Sequence, residues 1–353
     1  MIDSRPILIT GGAGFIGSNI ADRLAREGHD IAIYDALTRP GVDRNLDWLQ
    51  RRHPGRIYAI VADIREEDRL RMAVAESKAV FHMAAQVAVT TSIEDPRSDF
   101  ETNVLGTIEL LEALRCEAPA TPLVFASTNK VYGGLGDIEL VLKEEGYRPA
   151  DEFVARNGVS EERPLDFHTP YGCSKGAADQ YVLDYARSFG LRTAVLRMSC
   201  IYGQRQMGTE DQGWVAHFLI RALEGKPITI FGDGHQVRDI LDVSDAVEAY
   251  LAAWHRMDEV RGRAFNLGGG PSNAVSLNGL VAHIERLLDR RVAIEFADWR
   301  AGDQRYFVAD TLRADGELGL PPKRDWREGV ERLARWLAEE RAVAWPRTLM
   351  AAS

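Results

Sequence analysis

The segment that most narrows the possible folds of this 353-residue chain is Ile7-Leu8-Ile9-Thr10, which runs straight into Gly11-Gly12-Ala13-Gly14-Phe15-Ile16-Gly17. A short apolar strand ends on a turn rich enough in glycine to reverse tightly, and a helical pattern begins at once. The spacing fits G-x-G-x-x-G through Gly12, Gly14 and Gly17, and G-x-x-G-x-x-G through Gly11, Gly14 and Gly17. The first glycines permit the tight turn and a close ligand; the last lets the helix pack on the sheet. Unpaired N–H groups at the helix start, around Gly14, Phe15, Ile16 and Gly17, then face a pyrophosphate.

Apolar runs at 7–10, 30–34, 57–61, 79–82, 123–126 and 193–197 read as strands, and helical periodicity near 15–27, 43–52, 66–76, 99–116 and 170–189 alternates with them. That alternation predicts an α/β protein with a doubly wound parallel sheet, each crossover long enough to be right-handed. Past Arg197 the glycines and prolines multiply, which predicts a smaller mixed α/β lobe. The expected division is 1–197 plus 237–268 for a Rossmann dinucleotide-binding domain, and 198–236 plus 269–345 for a substrate-binding lobe. A ligand belongs in the crevice between them, at the carboxyl ends of the strands.

Asp35 ends the second strand, where a carboxylate accepts hydrogen bonds from an adenosine ribose and repels a 2′-phosphate. NAD is therefore expected over NADP; Arg39 is the nearby residue that would suit NADP. Asp63-Ile64 after the third strand would meet the adenine edge, and Ala84-Ala85 after the fourth would let the backbone pass close to the cofactor. Gln86 and Asn103 are counted with the same set.

Tyr171 and Lys175 stand four apart in a helical segment and so share a face. Free tyrosine titrates near ~10, and a cation about 4 Å away at an effective dielectric of about 20 contributes roughly 4 kcal/mol, about 3 pKa units, before screening and burial reduce it. The expectation is a phenol brought into the range of a neutral-pH base. Thr128, at the end of the 123–126 strand, would hydrogen-bond an oxygen that alternates between alcohol and ketone.

A net charge of −10 disfavours a nucleic-acid partner but leaves room for a small anion held by local arginines. The apolar runs are strand-sized, so no membrane span is expected, and the first residues carry no secretory pattern. Cys116, Cys173 and Cys200 are too few and too scattered for a disulfide framework or a zinc site, and no metal is expected. His82 and His168 are read as packing or hydrogen-bonding residues. The chain is read as cytoplasmic, with a tail loosely held from Ala342 onward. The polar stretch from 134 to 168 is either a lid or an inert insertion.

Several longer runs carry a resemblance: Gln86-Val87-Ala88-Val89-Thr90-Thr91-Ser92, Ser127-Thr128-Asn129-Lys130-Val131-Tyr132-Gly133, Leu165 to Tyr181, Asp211-Gln212-Gly213-Trp214 and Gln236-Val237-Arg238-Asp239. Over nearly its whole length the chain resembles the extended short-chain dehydrogenases/reductases of the nucleotide-sugar epimerase and dehydratase group. The likeness implies Tyr171 as acid/base, Lys175 as its modulator and Thr128 as third member. Asn129-Lys130 stands where the dehydratases carry Asp-Glu, so elimination of water lacks its acids. Cys200 stands where the group usually has Asn. Arg238 and Arg305 would clamp a diphosphate, whose oxygens match the guanidinium fork. Asn129, Cys200, Gln206, Asp211 and Gln212 complete the implied substrate contacts.

The activity so implied is redox-neutral epimerisation of a nucleotide-diphosphate hexose, at C2 of a CDP-sugar through a transient 2-keto intermediate, in a homo-oligomer (dimer or tetramer). Inversion at C4 of a UDP-sugar uses the same residues, and a non-catalytic NAD-binding regulator on the same fold is the third reading.

Overall fold

The computed structural model describes residues 4–345. At its centre is a seven-stranded parallel sheet in the order Arg263–Leu267, Thr193–Met198, Leu123–Thr128, Ala79–His82, Ile7–Thr10, Ile31–Asp35 and Ile57–Val61. The chain builds outward from Ile7–Thr10 to one edge, then returns to Ala79–His82 on the other side. The switch in direction opens a crevice at the carboxyl ends of these two strands.

Successive strand residues face opposite layers, and the core divides accordingly. Ile7, Ile9, Ile31 and Ile33 pack with Ile20, Leu24 and Tyr250 on one side. Leu8, Tyr34 and Val80 pack with Leu110, Leu114, Val182 and Tyr185 on the other. Burial on both faces is why these strands read as continuous apolar runs rather than as alternating ones.

The expected helix near 99–116 is broken. Val89–Glu94 and Pro96–Phe100 lead into a π turn, Glu101–Leu105, before the regular helix Gly106–Glu117. One wide turn swings Asn103 inward, where it is 1 % exposed.

A second core forms around Phe218, Leu219, Ile230, Leu280, Ile284, Val330 and Leu333. Between the two cores runs Val237–Asp242. It pairs in parallel with Cys200–Tyr202 and with Tyr306–Phe307, and antiparallel with Ala274–Ser276. Of residues 237–268, only Arg263–Leu267 lies in the large sheet. Val237–Asp242 mixes three charged residues with three apolar ones, and nothing in that local pattern tells which sheet it joins.

The stretch from 134 to 168 contains a hairpin, Leu140–Lys143 with Gly146–Pro149, and a short helix, Glu152–Asn157. Val159 N–H donates to Val308 O (2.8 Å), and Tyr147 N–H to His235 O (2.9 Å), so the hairpin is sewn to the smaller sheet. The tail departs from expectation: Val343 and Trp345 pack against the second core, and Arg335 lies over the Trp345 ring. Residues 346–353 of that tail lie outside the described residues. Among the described residues no helix is long and apolar enough to cross a membrane.

Beneath the helix Thr169–Phe189 runs a buried polar chain. Arg197 forks onto Asp179 with two bonds of 2.9 Å, Ser127 donates to the same carboxylate (2.7 Å), and Arg197 also reaches the Tyr132 hydroxyl (3.1 Å). Tyr132 in turn donates to Asn266 Oδ1 (2.8 Å). Removing one partner of a buried pair strands the other charge. Asp179→Ala should therefore lose about 3–5 kcal/mol of stability in a urea titration, and the double variant Asp179→Leu/Arg197→Met should regain much of it.

Candidate active site

The glycine turn behaves as its sequence requires. Gly11 has φ +66°, and a Cβ there would sit 2.6 Å from Ala84 N. A Cβ on Gly17 would fall 2.5 Å from Gly11 O, so only glycine lets the helix Phe15–Arg26 start this close to the turn. No side chain caps that helix at Gly14, which leaves the first-turn N–H groups of Phe15, Ile16 and Gly17 open to an anion. Asp35 lies beside the turn, its carboxylate accepting from Ala13 N (3.0 Å) and Leu37 N (2.9 Å). Burial raises its pKa and these backbone donors oppose the rise.

The other expected dinucleotide contacts line the same sheet edge. Ala84 N–H approaches Thr10 Oγ1 at 3.3 Å, and Ala85 and Gln86 follow it in the loop after Ala79–His82. Ile64 is buried. Asp63 is gripped by Arg65, with two bonds of 2.8 Å that hold its carboxyl below the usual range. Asn103 exchanges bonds with the Gln86 backbone (2.8 and 3.1 Å) and approaches Ser174 Oγ at 3.0 Å. Its amide thus ties the loop after the fourth strand to the Thr169–Phe189 helix, a tie between distant segments that no local pattern marks. Ser92 adds a second one, accepting from Tyr171 N (3.1 Å). His82 is wholly internal, between Thr10 (2.6 Å) and Thr107 (3.1 Å), and burial lowers its pKa to about 3.

Thr128, Tyr171 and Lys175 converge at this edge, all buried, with Thr128 hydrogen-bonded to the Tyr171 hydroxyl. Their electrostatics overturn the expected shift. Burial pushes the Tyr171 phenol up to about 12, Asp99 adds to the rise, and only Thr128 opposes it. The Lys175 ammonium does not lower it. Nζ lies 4.2 Å from the centroid of the Phe125 ring, and burial pulls its pKa down to about 7 against the pull of Asp179 and Asp99. Both groups lose water on the same helix face, and desolvation penalises both charged forms more than their attraction rewards them. In this state the pair is a neutral phenol beside an ammonium that readily gives up its proton.

Across the crevice stand the implied substrate residues. Asn129 is buried next to Thr128. Cys200 Sγ accepts from Trp214 Nε1 at 3.4 Å. Gln206 is buried and turned inward, donating to Ile201 O (3.2 Å), with its Oε1 lacking a partner. Gln212 closes a turn with Thr209 (2.9 Å). Asp211 meets Arg300 at 3.4 Å.

Arg238 is buried and holds Asp303 Oδ1 at 2.9 Å as well as the Gln304 carbonyl. Arg305 does not join it. Its guanidinium is exposed and lies against the rings of Trp299 (5.4 Å) and Tyr147 (5.6 Å), two aromatic faces that draw it outward. The sequence reading missed Arg300, which lies 3.6 Å from the Phe231 ring centroid and donates to Glu210 O (3.0 Å). It also missed Lys130, whose Nζ donates to Gly302 O (3.0 Å). The segment Arg300-Ala301-Gly302-Asp303, a turn glycine between opposite charges, was the available signal.

The chain is similar to known proteins over nearly its whole length. CDP-paratose 2-epimerase of Salmonella typhi is 42% identical over 94% of this chain and 98% of its own length. The crystal structure of UDP-glucose 4-epimerase from Thermotoga maritima with UDP-glucose superposes with a TM-score of 0.81 at 29% identity, covering 95% of this chain and 99% of that one. The Thermus thermophilus UDP-glucose 4-epimerase in complex with NAD gives 0.79 at 30% identity, covering 94% and 98%. The model of the NAD dependent epimerase/dehydratase family matches residues 7–268, and the chain, with its uncapped glycine turn and its Thr128, Tyr171 and Lys175 cluster, belongs to that family.

Proposed function

We propose that the protein is an NAD-dependent isomerase that inverts C2 of a CDP-hexose, interconverting CDP-paratose and CDP-tyvelose. The observation that carries this reading is the 42% identity to a CDP-paratose 2-epimerase over almost the full length of both chains, joined to the Thr128, Tyr171 and Lys175 cluster. The turn fits a dinucleotide: a Cβ would fill the space at Gly17, and the helix start at Gly14 has no side-chain cap. NAD, when bound, accepts the hydride from the sugar carbon and returns it.

Everything else falls to this chain's own residues. Tyr171 takes the hydroxyl proton as the alcohol becomes a ketone and returns it to that oxygen after the ketone has turned its other face to the hydride donor. Thr128 holds the reacting oxygen, and Lys175 steadies the ribose hydroxyls and the phenolate. Asp35 accepts from the adenosine ribose. Arg238 turns from Asp303 to the diphosphate, with Arg300 in the outer position first expected of Arg305. The lobe from 198–236 and 269–345 grips the nucleotide, with Val237–Asp242 as the wall it shares with the cofactor side.

A second copy of the chain is part of the proposal. Phe100, Leu105, Tyr181 and Phe189 are exposed apolar residues on helical segments that pack side by side. A homo-oligomer would cover them. Tyr181→Glu/Phe189→Glu should sediment as a monomer at micromolar concentration where the parent chain does not; a parent that is itself monomeric counts against the assembly.

Purified protein, incubated without added NAD with CDP-, UDP-, GDP- and dTDP-hexoses and followed by proton NMR, tests the activity. Inversion at C2 of the CDP-sugar is expected. Inversion at C4 of a UDP-sugar would favour the reading that the Thermotoga maritima likeness suggests. Tyr171→Phe should lower kcat by about 10²–10⁴ while keeping its bound cofactor.

The burial argument has its own measurement. In cofactor-free protein, NMR of labelled Lys and Tyr should place the Lys175 midpoint near 7 and leave Tyr171 protonated up to about 12. The shift for Lys175 is downward because its neutral form is favoured inside, so the ammonium is lost as pH rises through that midpoint. A Tyr171 midpoint below that of free tyrosine in this form would reverse the assignment.

A further inference from the structure

Lys130 is the one cation at the site for which the shared epimerisation chemistry has no use. It stands two residues beyond Thr128, in the short 3-10 turn Asn129–Tyr132 that closes the Leu123–Thr128 strand. Its N–H donates to Thr128 Oγ1 at 3.3 Å, so its backbone is fixed to the hydroxyl that faces Tyr171. Its side chain extends in the other direction, giving one of the ammonium's three donors to Gly302 O at 3.0 Å. Burial lowers its pKa to about 8 and Arg238 adds to the fall, while Asp303 opposes it. Asp303 is itself bound to Arg238 at 2.9 Å. The half-buried ammonium thus lies at Gly302 O within the field of Arg238 and Asp303, on a backbone tied to the Thr128 hydroxyl.

The chemistry of the two candidate reactions differs in what it asks of such a cation. In a nucleotide-diphosphate hexose, C2 is bonded to C1, and C1 carries the phosphate. As a C2 hydroxyl gives up its proton, negative charge grows on an oxygen beside an anionic phosphate. Like charges that close in a poorly solvated pocket repel strongly. At C4 the same charge grows on the far side of the ring and meets no such neighbour. A cation between the acid/base and the phosphate therefore favours reaction at C2 more than at C4.

We propose that Lys130 directs the reaction to C2, by setting its ammonium between the anomeric phosphate and the oxygen on C2 of the hexose. The inference rests on the C2 reading above and adds the residue that distinguishes it from C4 inversion. On binding, the sugar phosphate replaces Gly302 O as the ammonium's partner. Because the charge it screens grows during reaction, its loss falls on turnover more than on binding.

The test uses the holoenzyme with CDP-tyvelose, followed by NMR, with UDP-glucose as a control. Lys130→Met should lower kcat for C2 inversion about 10²–10³-fold, the scale seen when one stabilising donor is removed, with KM changed less than about fivefold. Lys130→Arg, which keeps the charge, should retain activity within about tenfold of the parent. Bound NAD and thermal midpoint are read on each variant. If Lys130→Met loses its cofactor, Lys130→Gln, of similar length without the charge, should give the same kcat loss. Parent protein that inverts C2 while Lys130→Met or Lys130→Gln stays within threefold of it overturns the role of Lys130 alone. A loss confined to KM does the same, since it would make Lys130 part of the diphosphate grip. Parent protein that inverts only C4 of UDP-glucose overturns the C2 reading and this role together.

Discussion

One carboxylate, Asp179, fixes the helix on which the chemistry depends. It lies one turn beyond Lys175 and is fully buried, accepting from Ser127 and from both arms of the Arg197 fork. Ser127 precedes Thr128, and Arg197 belongs to the neighbouring strand, so three elements are pinned at a single point. The position of Tyr171 relative to Thr128 follows from that joint. An apolar residue there would pack well enough, but it could not set register along the helix, because dispersion is not directional. The same carboxylate holds the Lys175 pKa up against burial. Position and charge at the site thus have one source.

Burial also explains why the simple electrostatic expectation failed. Two opposite charges on one helix face attract, but both must first leave water, and at this edge the desolvation of phenolate and ammonium exceeds the gain. The outcome is a protonated phenol beside an ammonium whose proton is loosely held. A diphosphate on Arg238 or a cation beside Tyr171 changes the field in which the pair titrates. The protein supplies a frame of donors whose proton positions are settled by what it binds.

Legibility in the sequence followed the range of the interactions involved. The glycine turn, the first six strands of the large sheet and the Tyr171–Lys175 pair are local patterns, each set by residues within a few positions of one another. The broken helix at Glu101–Leu105 was not legible, because a π turn depends on where Asn103 finds partners on two distant segments. Arg305 illustrates the same limit. The residues just before it are charged and polar, but its guanidinium lies against Trp299 and Tyr147, and the latter is delivered by a hairpin far away in sequence. Val237–Asp242 carries Arg238, Asp239 and Asp242 beside three apolar residues, yet all six are buried; which sheet buries them is a tertiary fact.

An acidic chain with a net charge of −10 still has to attract an anion. Screening over about 8–10 Å makes distant carboxylates matter little, so what counts is the charge inside the crevice. There the cations Arg238, Lys130 and Arg300 are each engaged by carbonyls or carboxylates of their own chain, chiefly in the segments 210–211 and 302–304. Those contacts satisfy the donors until a ligand arrives, and the ligand must offer more than they do. A diphosphate brings several charged oxygens at once, whereas a lone phosphate or a neutral sugar can displace only some of the internal partners. Selectivity for a nucleotide-diphosphate over its fragments then follows from the number of internal bonds to be exchanged together, a property of the crevice that no single residue carries.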